Sequence, residues 1–312
     1  MLFSILIPAY KRRYLGEAIA SCLAQSYREL ELIIVDDASP EDLRSVVDGF
    51  HDDRIRYYRN EKNCGALDVV DNWNICLSYA QGDYVICMGD DDRLLPNCLE
   101  EYAKLIDRYP GLHIYHAMTE IIDNEGKVFD LQEARPEREG VFSMIYGRLN
   151  NNRQQFIGDW LIKRSWLNDN HGYYKLPLAW GSDDLTAYLA AKDGGVANAQ
   201  VPLFQYRVNP YTISNSGHCR LKLKDIKALY AQIQLLLNAP AEDALDEKET
   251  DYRLALQIKI GRKAREHEDW LLIQDLVNGG RLQGLCWWLT HSSQYRIQKK
   301  RVVKAWLKSL NK

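Results

Sequence analysis

Three observations predict an α/β fold built on a mostly parallel central sheet with a helical C-terminal appendage. Short apolar runs alternate with amphipathic segments through the first hundred residues. Two of those runs, LELIIVDD (30–37) and DYVICMG (83–89), are almost continuously apolar, as expected of strands covered on both faces. Beyond about residue 218 the pattern turns helical and charged. A length of 312 residues with 46% hydrophobic and 27% charged side chains suits one large domain or two, and not a disordered chain.

The elements follow in order. FSILIPAY (3–10), LELIIVDD, RIRYYR (54–59) and DYVICMG read as strands from their Ile, Val and Tyr content. Between them YLGEAIASCLAQS and ALDVVDNWNICLSYAQG carry apolar residues at helical spacing, the second closing on Gly82 as a C-cap. ASPED reads as a helix start with Ser39 as N-cap and Pro40 in the first position. The resulting β-α-β-α-β-α-β order calls for right-handed crossovers and a parallel sheet. GLHIYHAM (111–118) reads as a strand, 130–155 as a polar loop, and GDWLIKRSWL (158–167) as a strand passing into a helix. WGSDDLTAYLAAKDGG reads as a helix with Ser182 as N-cap, and VANAQVPLFQYRV as a returning strand. DIKALYAQIQLLL and ALQIKIGRKAREHEDWLLIQDLV are amphipathic helices. The expected division is 1–217, with halves 1–110 and 111–217, followed by a helical region 218–312.

Composition removes several function classes. Forty basic against forty-three acidic residues leave a net charge of −3, which points away from nucleic acid as a partner. Seven scattered cysteines without a CxxC pair read as reduced thiols. The N-terminal apolar run is short and is followed by basic residues, and no longer apolar run occurs, so the expected location is cytoplasmic.

In a parallel sheet ligands gather beyond the carboxyl ends of the strands. PAYKR, VDDAS and GDDDR all fall on that rim. Taken alone, Asp90, Asp91 and Asp92 read as a solvated turn; at the rim, three successive carboxylates suit Mg²⁺ or Mn²⁺, with substrate phosphates completing the shell.

SILIPAYKRRYLGEAIASCLAQSYRELELIIVDDASPED, followed by the stretch from DDRIRYYR to GDDDRLLPNCLE, resembles a non-processive, bacterial-type family 2 glycosyltransferase with the Rossmann-like GT-A fold. The likeness is close over 3–110, loose over 111–215 and absent from the helical tail. It implies that Pro8, Ala9 and Tyr10 line the nucleotide pocket, that Asp37 accepts a hydrogen bond from the base, and that Asp90 faces the ribose. It also implies that Asp91, with Asp92, ligates a cation on the donor diphosphate. Counting back from Pro96, the family's frequent first acid falls on Gly89, leaving GDDD in place of DXDD.

Spacing alone makes Asp183 and Asp184 a pair of acids at a helix N-terminus, worth about 0.3–1 kcal/mol each. The resemblance implies that Asp184 is the catalytic base of an inverting transfer and Asp183 the acid before it. FQYRVNPYTIS is similar to a segment whose Arg and His approach the donor phosphates, which puts Arg207 there while Asn209 takes the His position and Ser214 matches a Ser. The implied reaction moves one sugar from a nucleotide diphosphate, UDP ahead of GDP or dTDP, to a hydroxyl of a surface-glycan or lipid-linked glycan acceptor. Absence of a QxxRW motif points away from a processive synthase.

Two weaker patterns stand beside these. Trp160, Trp166, Tyr173, Tyr174 and Trp180 precede the acid pair and read as core aromatics or sugar-stacking faces. The basic helix 295–312, with Val302, Val303, Trp306 and Leu310 as one face, reads as solvated or as a peripheral membrane contact. A sugar-phosphate nucleotidyltransferase is the rival enzyme, but IPAYKRR lacks the glycines of its phosphate loop. An inactive nucleotide- or glycan-binding module is the rival outside catalysis.

Overall fold

A computed structural model of the protein describes residues 1–150, 153–208, 218–240 and 246–310. It comprises two compact units: Met1–Lys175 with Ser182–Asn209, and Leu176–Gly181 with Pro210–Lys312.

The first unit opens with strands β1 (Phe3–Ala9), β2 (Leu30–Asp36), β3 (Ile55–Arg59) and β4 (Tyr84–Cys87). They are connected by helices α1 (Leu15–Leu23), α2 (Arg44–Val47) and α3 (Val69–Tyr79). The four strands lie in the order β3-β2-β1-β4, and every pair is parallel. In α1 the buried residues Leu15, Ala18, Ile19 and Cys22 fall on one face at helical spacing. They pack with Ile5, Ile7, Leu32, Ile34 and Ile86 in the main core.

Beyond β4 the sheet changes character. Strands β5 (Arg93–Leu94), β6 (Ile114–Ile122), β7 (Val128–Leu131), β8 (Arg138–Glu139), β9 (Trp160–Lys163) and β10 (Val196–Arg207) complete it. β9 inserts between β4 and β6 and runs against both, so the expected mostly parallel sheet is parallel in its first half and mixed in its second. β6 and β10 pair in parallel, and β5 closes the far edge antiparallel to β10. Helices α4 (Cys98–Arg108), α5 (Val141–Asn150), α6 (Arg164–Asp169) and α7 (Ser182–Ala191) complete this unit.

Three local expectations change. The stretch 130–155 is not a continuous polar loop, because α5 buries Val141, Phe142, Met144 and Ile145. Ser39 does not cap a helix; its Oγ accepts from the Glu41 N–H at 3.0 Å and donates to the Tyr10 carbonyl at 2.6 Å, and α2 starts only at Arg44. Gly82 is not a C-cap either. α3 ends at Tyr79, and the Gly82 N–H donates to Ser4 Oγ at 2.9 Å within a buried network. Glu31 Oε1 centres that network, accepting from Ser4 Oγ at 2.6 Å and from the Gln81 N–H at 2.6 Å. This accounts for a carboxylate inside the apolar strand β2: it ties β1, β2 and the turn before β4 together.

The second unit is helical, as the sequence pattern predicts. α8 (Cys219–Asn238), α9 (Glu247–Asn278), α10 (Arg281–His291) and α11 (Lys299–Ser309) follow one another. Asp246 caps α9 by accepting from the Glu249 N–H at 2.8 Å. α8 and α9 pack on each other and bury Leu223, Ile226 and Ile233 with Leu256, Ile260 and Leu272. Of the aromatic residues singled out above, Trp160 and Tyr173 are buried in the first unit, while Trp180 lies beneath Lys222 in the second. All seven cysteines are free thiols. Among the described residues no helix is long and apolar enough to cross a membrane.

A Cβ at position 82 would stand 2.6 Å from Ser4 Oγ, 2.8 Å from the Leu2 carbonyl and 2.8 Å from the Ser4 N–H nitrogen. Two of those neighbours are backbone and cannot step aside. Gly82→Ala is therefore expected to cost about 1–3 kcal/mol, seen as a lower urea midpoint. An unchanged midpoint would show that this junction is not tightly packed.

Candidate active site

The acidic triplet performs separate jobs at the rim. Asp90 Oδ2 accepts from the N–H groups of Tyr10 at 2.7 Å and Lys11 at 2.6 Å, which draws the turn after β1 onto the turn after β4. Asp92 Oδ1 accepts from the Arg207 N–H at 2.9 Å and Oδ2 from the Gly89 N–H at 3.3 Å, which joins the same turn to the end of β10. Both of those carboxylates are buried, whereas Asp91 between them is partly exposed. Burial, reinforced by the charge of Asp91, pushes Asp90 up to about 6 against the opposing Lys11 and Tyr10 N–H groups. Burial and then Asp91 likewise hold Asp92 well above the ordinary carboxylate range.

Arg207 is the strut behind the triplet. Its Nε donates to the Asp91 carbonyl at 2.8 Å, one terminal nitrogen to the carbonyls of Asp123 at 3.0 Å and Asn124 at 3.1 Å, and the other to Glu17 at 2.8 Å. The guanidinium lies over the Tyr14 ring, 4.0 Å from its centroid. Every guanidinium nitrogen is thus engaged by the protein, and the side chain is buried. The resemblance directs Arg207 at donor phosphates; in the structure its guanidinium turns inward and holds the backbone of Asp91. Asn209 and Ser214 lie outside the described residues.

On the other side of β1, Asp36 and Asp37 divide their work. Asp36 is buried and accepts from the Ser39 N–H at 2.7 Å and Tyr57 Oη at 2.7 Å, with Arg59 as its ion partner. Asp37 Oδ1 accepts from Asn60 Nδ2 at 2.8 Å and the Cys64 N–H at 2.9 Å, and its own N–H donates to the Ala9 carbonyl at 2.9 Å. Among the described residues Oδ2 receives only the longer Cys64 contact at 3.1 Å, so this carboxylate retains capacity for a further donor. Ala9 is buried and contributes backbone, Pro8 is partly buried, and Tyr10 is 44% exposed.

The second acid pair opens α7. Asp184 is buried and both its oxygens accept from Arg148 Nε on α5, at 3.2 and 3.3 Å. Arg148 is itself held by the Arg153 carbonyl at 2.9 Å, and the charge of Asp184 keeps its guanidinium ionised. Asp183 is partly exposed, and burial followed by the charge of Asp184 raises its pKa well above 3.8, with Arg148 working against the rise. Asp183 therefore holds its proton more tightly than a solvated aspartate would.

Tyr206 lies near the end of β10. Burial raises its hydroxyl pKa first, and then the charges of Asp92, Asp91 and Asp183 do so, so acids from both halves act on one phenol and keep it a donor. Its ring stacks on Phe156 at 3.8 Å and 14°. Phe156 is fixed by its N–H to Asp159 Oδ2 at 3.1 Å, and Gly158 lets this turn close on β10, since a Cβ there would meet the Phe204 ring at 2.3 Å. Arg148, Phe156, Asp159 and Tyr206 were not singled out from the sequence. The helical spacing of VFSMIYGRL carried the signal for the first of them.

Among the described residues no three His, Cys, Asp or Glu side chains converge as a metal cage. A partly exposed Asp91 beside two buried carboxylates fits a Mg²⁺ or Mn²⁺ ion that one protein carboxylate and substrate phosphates would hold.

Comparison with known proteins bears on this geometry. Residues 4–169 match the pattern of Glycosyl transferase family 2. The putative colanic acid biosynthesis glycosyl transferase WcaA of Escherichia coli is 40% identical over 104 residues, 32% of this chain and 36% of that protein. The GalNAc(5)-diNAcBac-PP-undecaprenol beta-1,3-glucosyltransferase of Campylobacter jejuni is 37% identical over 99 residues, 31% of each. An uncharacterized Haemophilus influenzae glycosyltransferase is 31% identical over 138 residues, 44% of this chain and 45% of that protein, so the chain spans less than half the length of these curated relatives. The crystal structure of Staphylococcus aureus TarS 1–349 with UDP-GlcNAc is similar in fold, with a TM-score of 0.65 at 16% identity over 99% of this chain and 92% of that one. With the family pattern matched over more than half its length, the chain belongs to glycosyl transferase family 2.

Proposed function

We propose that the protein is a metal-dependent, inverting glycosyltransferase that moves one sugar from a UDP-sugar to a hydroxyl of a surface-glycan acceptor carried on a lipid. The observation that carries this reading is the geometry of the rim, where Asp90 and Asp92 draw the turn after β4 onto the turn after β1 and the end of β10 and Asp91 between them stays partly exposed. A donor diphosphate would lie beside Asp91 and an acceptor hydroxyl beside Asp183 and Asp184. The solved complex of TarS with UDP-GlcNAc supports the donor class, and the undecaprenol-linked acceptor in the name of the Campylobacter relative supports a lipid carrier.

In this reading Tyr10, Pro8, Ala9 and Asp37 hold the nucleoside, and Asp90 sets the turn that faces the ribose. A divalent cation, when bound, would neutralise charge on the departing nucleoside diphosphate. Asp184, aligned by Arg148, takes the proton of the acceptor hydroxyl as its oxygen bonds to the anomeric carbon and the bond from that carbon to the phosphate oxygen breaks. Asp183 shares the proton with it. The Tyr206 hydroxyl donates to a substrate oxygen between the two acid sets. A lipid-linked acceptor would place turnover at a membrane surface.

Four measurements test this. Asp184→Asn is expected to bind donor normally and lose transfer by about 10²–10⁴-fold. The wild-type rate should rise with pH through an inflection well above 3.8, because Asp183, whose pKa burial and the charge of Asp184 raise, must lose its proton beside the base. Transfer retained in the variant would remove Asp184 from the chemistry. EDTA is expected to abolish turnover and Mn²⁺ or Mg²⁺ to restore it; undiminished turnover in chelator overturns the cation. Tyr206→Phe keeps the ring on Phe156 and deletes one donor, so kcat/KM should fall about tenfold at an unchanged melting temperature. Unaltered kinetics would show that the hydroxyl does not touch substrate.

A further inference from the structure

The charge of this chain is unevenly distributed. Between Leu276 and Lys312 there are eight lysines and arginines and no aspartate or glutamate. Removing those eight cations from a total of −3 leaves −11 on everything before them. This acid-free stretch contains α10 and α11, which pack on each other and on α9.

α11 is turned in a definite way. Val302 and Ala305 are buried, and Arg301 points inward to Glu268 and Asp269, both at 2.7 Å. The outward side carries Lys299, Lys300, Lys304 and Lys308, all exposed, and none of them forms an ion pair with a described residue. Interleaved with these lysines are Val303 at 41% exposure, Leu307 at 54% and Leu310 at 48%. Arg281 Nε donates to the Ser309 carbonyl at 3.0 Å, which brings the start of α10 and its 70% exposed Leu282 to the same end. The apolar set that faces out thus differs from the one helical spacing suggests: Val302 belongs to the core, and Leu307 takes its place outside.

We infer that this face of α10 and α11 docks on an anionic phospholipid bilayer. Lysine stems can lie along the apolar boundary while their ammonium groups meet lipid phosphates, and Val303, Leu307, Leu310 and Leu282 enter the headgroup layer. A cluster of four to eight cations suffices for such attraction. Exposed leucines add nothing to a nucleic-acid contact, whose affinity comes from phosphate neutralisation. A two-fold contact between copies would set the same lysines against each other.

Vesicle flotation of the full chain tests this independently of sugar transfer. Binding is expected to vesicles of phosphatidylglycerol with phosphatidylcholine, to be absent from phosphatidylcholine alone, and to weaken with salt. Lys300→Gln with Lys304→Gln should weaken it by roughly fivefold per lysine. Val303→Ser with Leu307→Ser, which leaves the charge intact, should also weaken it severalfold, because apolar insertion is part of the contact. Circular dichroism checks that these exposed substitutions leave the fold unchanged. Equal binding to neutral vesicles, or none to anionic ones, overturns the inference. So does binding of an oligonucleotide that ignores Leu307→Ser, or a dimer by light scattering that Leu307→Ser dissolves.

Discussion

The candidate site depends on the hydrogen bonds by which buried carboxylates of one turn capture backbone N–H groups from two distant strands. Asp90 holds Tyr10 and Lys11, and Asp92 holds Arg207. Ionised carboxylates accepting from backbone donors make strong hydrogen bonds, and burial sharpens them. The same burial makes the charges costly, which is why both groups resist ionisation. Arg207 gives its backbone N–H to Asp92 and fixes the Asp91 carbonyl with its Nε. What remains toward solvent is a single carboxylate on a rigid backbone, the form a hard cation and a phosphate can share.

A second polar core supports the other half. Asp159 is fully buried and accepts from Gln132 Nε2 at 2.8 Å as well as from Phe156, while His116 approaches it at 3.5 Å. Burial, and then the nearby Arg135, depress His116 to about 4, so it stays neutral in this setting. Glu139 is similarly enclosed, accepting from Arg153 at 2.7 Å and Ser143 at 3.1 Å. Arg153 in turn offers its carbonyl to Arg148, the partner of Asp184. The acid pair is thus oriented by a chain of buried polar contacts within the first unit, not by the α7 terminus alone.

Much of this architecture was legible before any coordinates. The apolar runs at β1, β2 and β4, the helical spacing of α1 and the charged helices after residue 218 all appear where local pattern puts them. The rim positions of PAYKR, VDDAS and GDDDR follow from strand direction and nothing else. Sequence and structure part where local cues point two ways. Ser39 and Pro40 are turn residues as readily as helix starters, and Gly82 looks like a helix stop although its lack of a Cβ serves the contact with Ser4. The segment 130–155 was too polar in average to betray α5, whose apolar face is short.

Hydrophobic periodicity is a local property, because burying one face of a strand or helix requires a repeat within a few residues; for that reason the order of elements, the parallel first half and the acids at the rim were determined by the amino-acid sequence itself. Which carboxylate of the triplet faces outward, that Arg207 turns inward, that Arg148 holds Asp184 and that Tyr206 stacks on Phe156 were decided only by tertiary structure. Those outcomes rest on partners such as Asp92 and Arg207, separated by 115 positions in the chain. No short-range pattern encodes such pairs, since they exist only once the sheet has closed and water has been removed from around them.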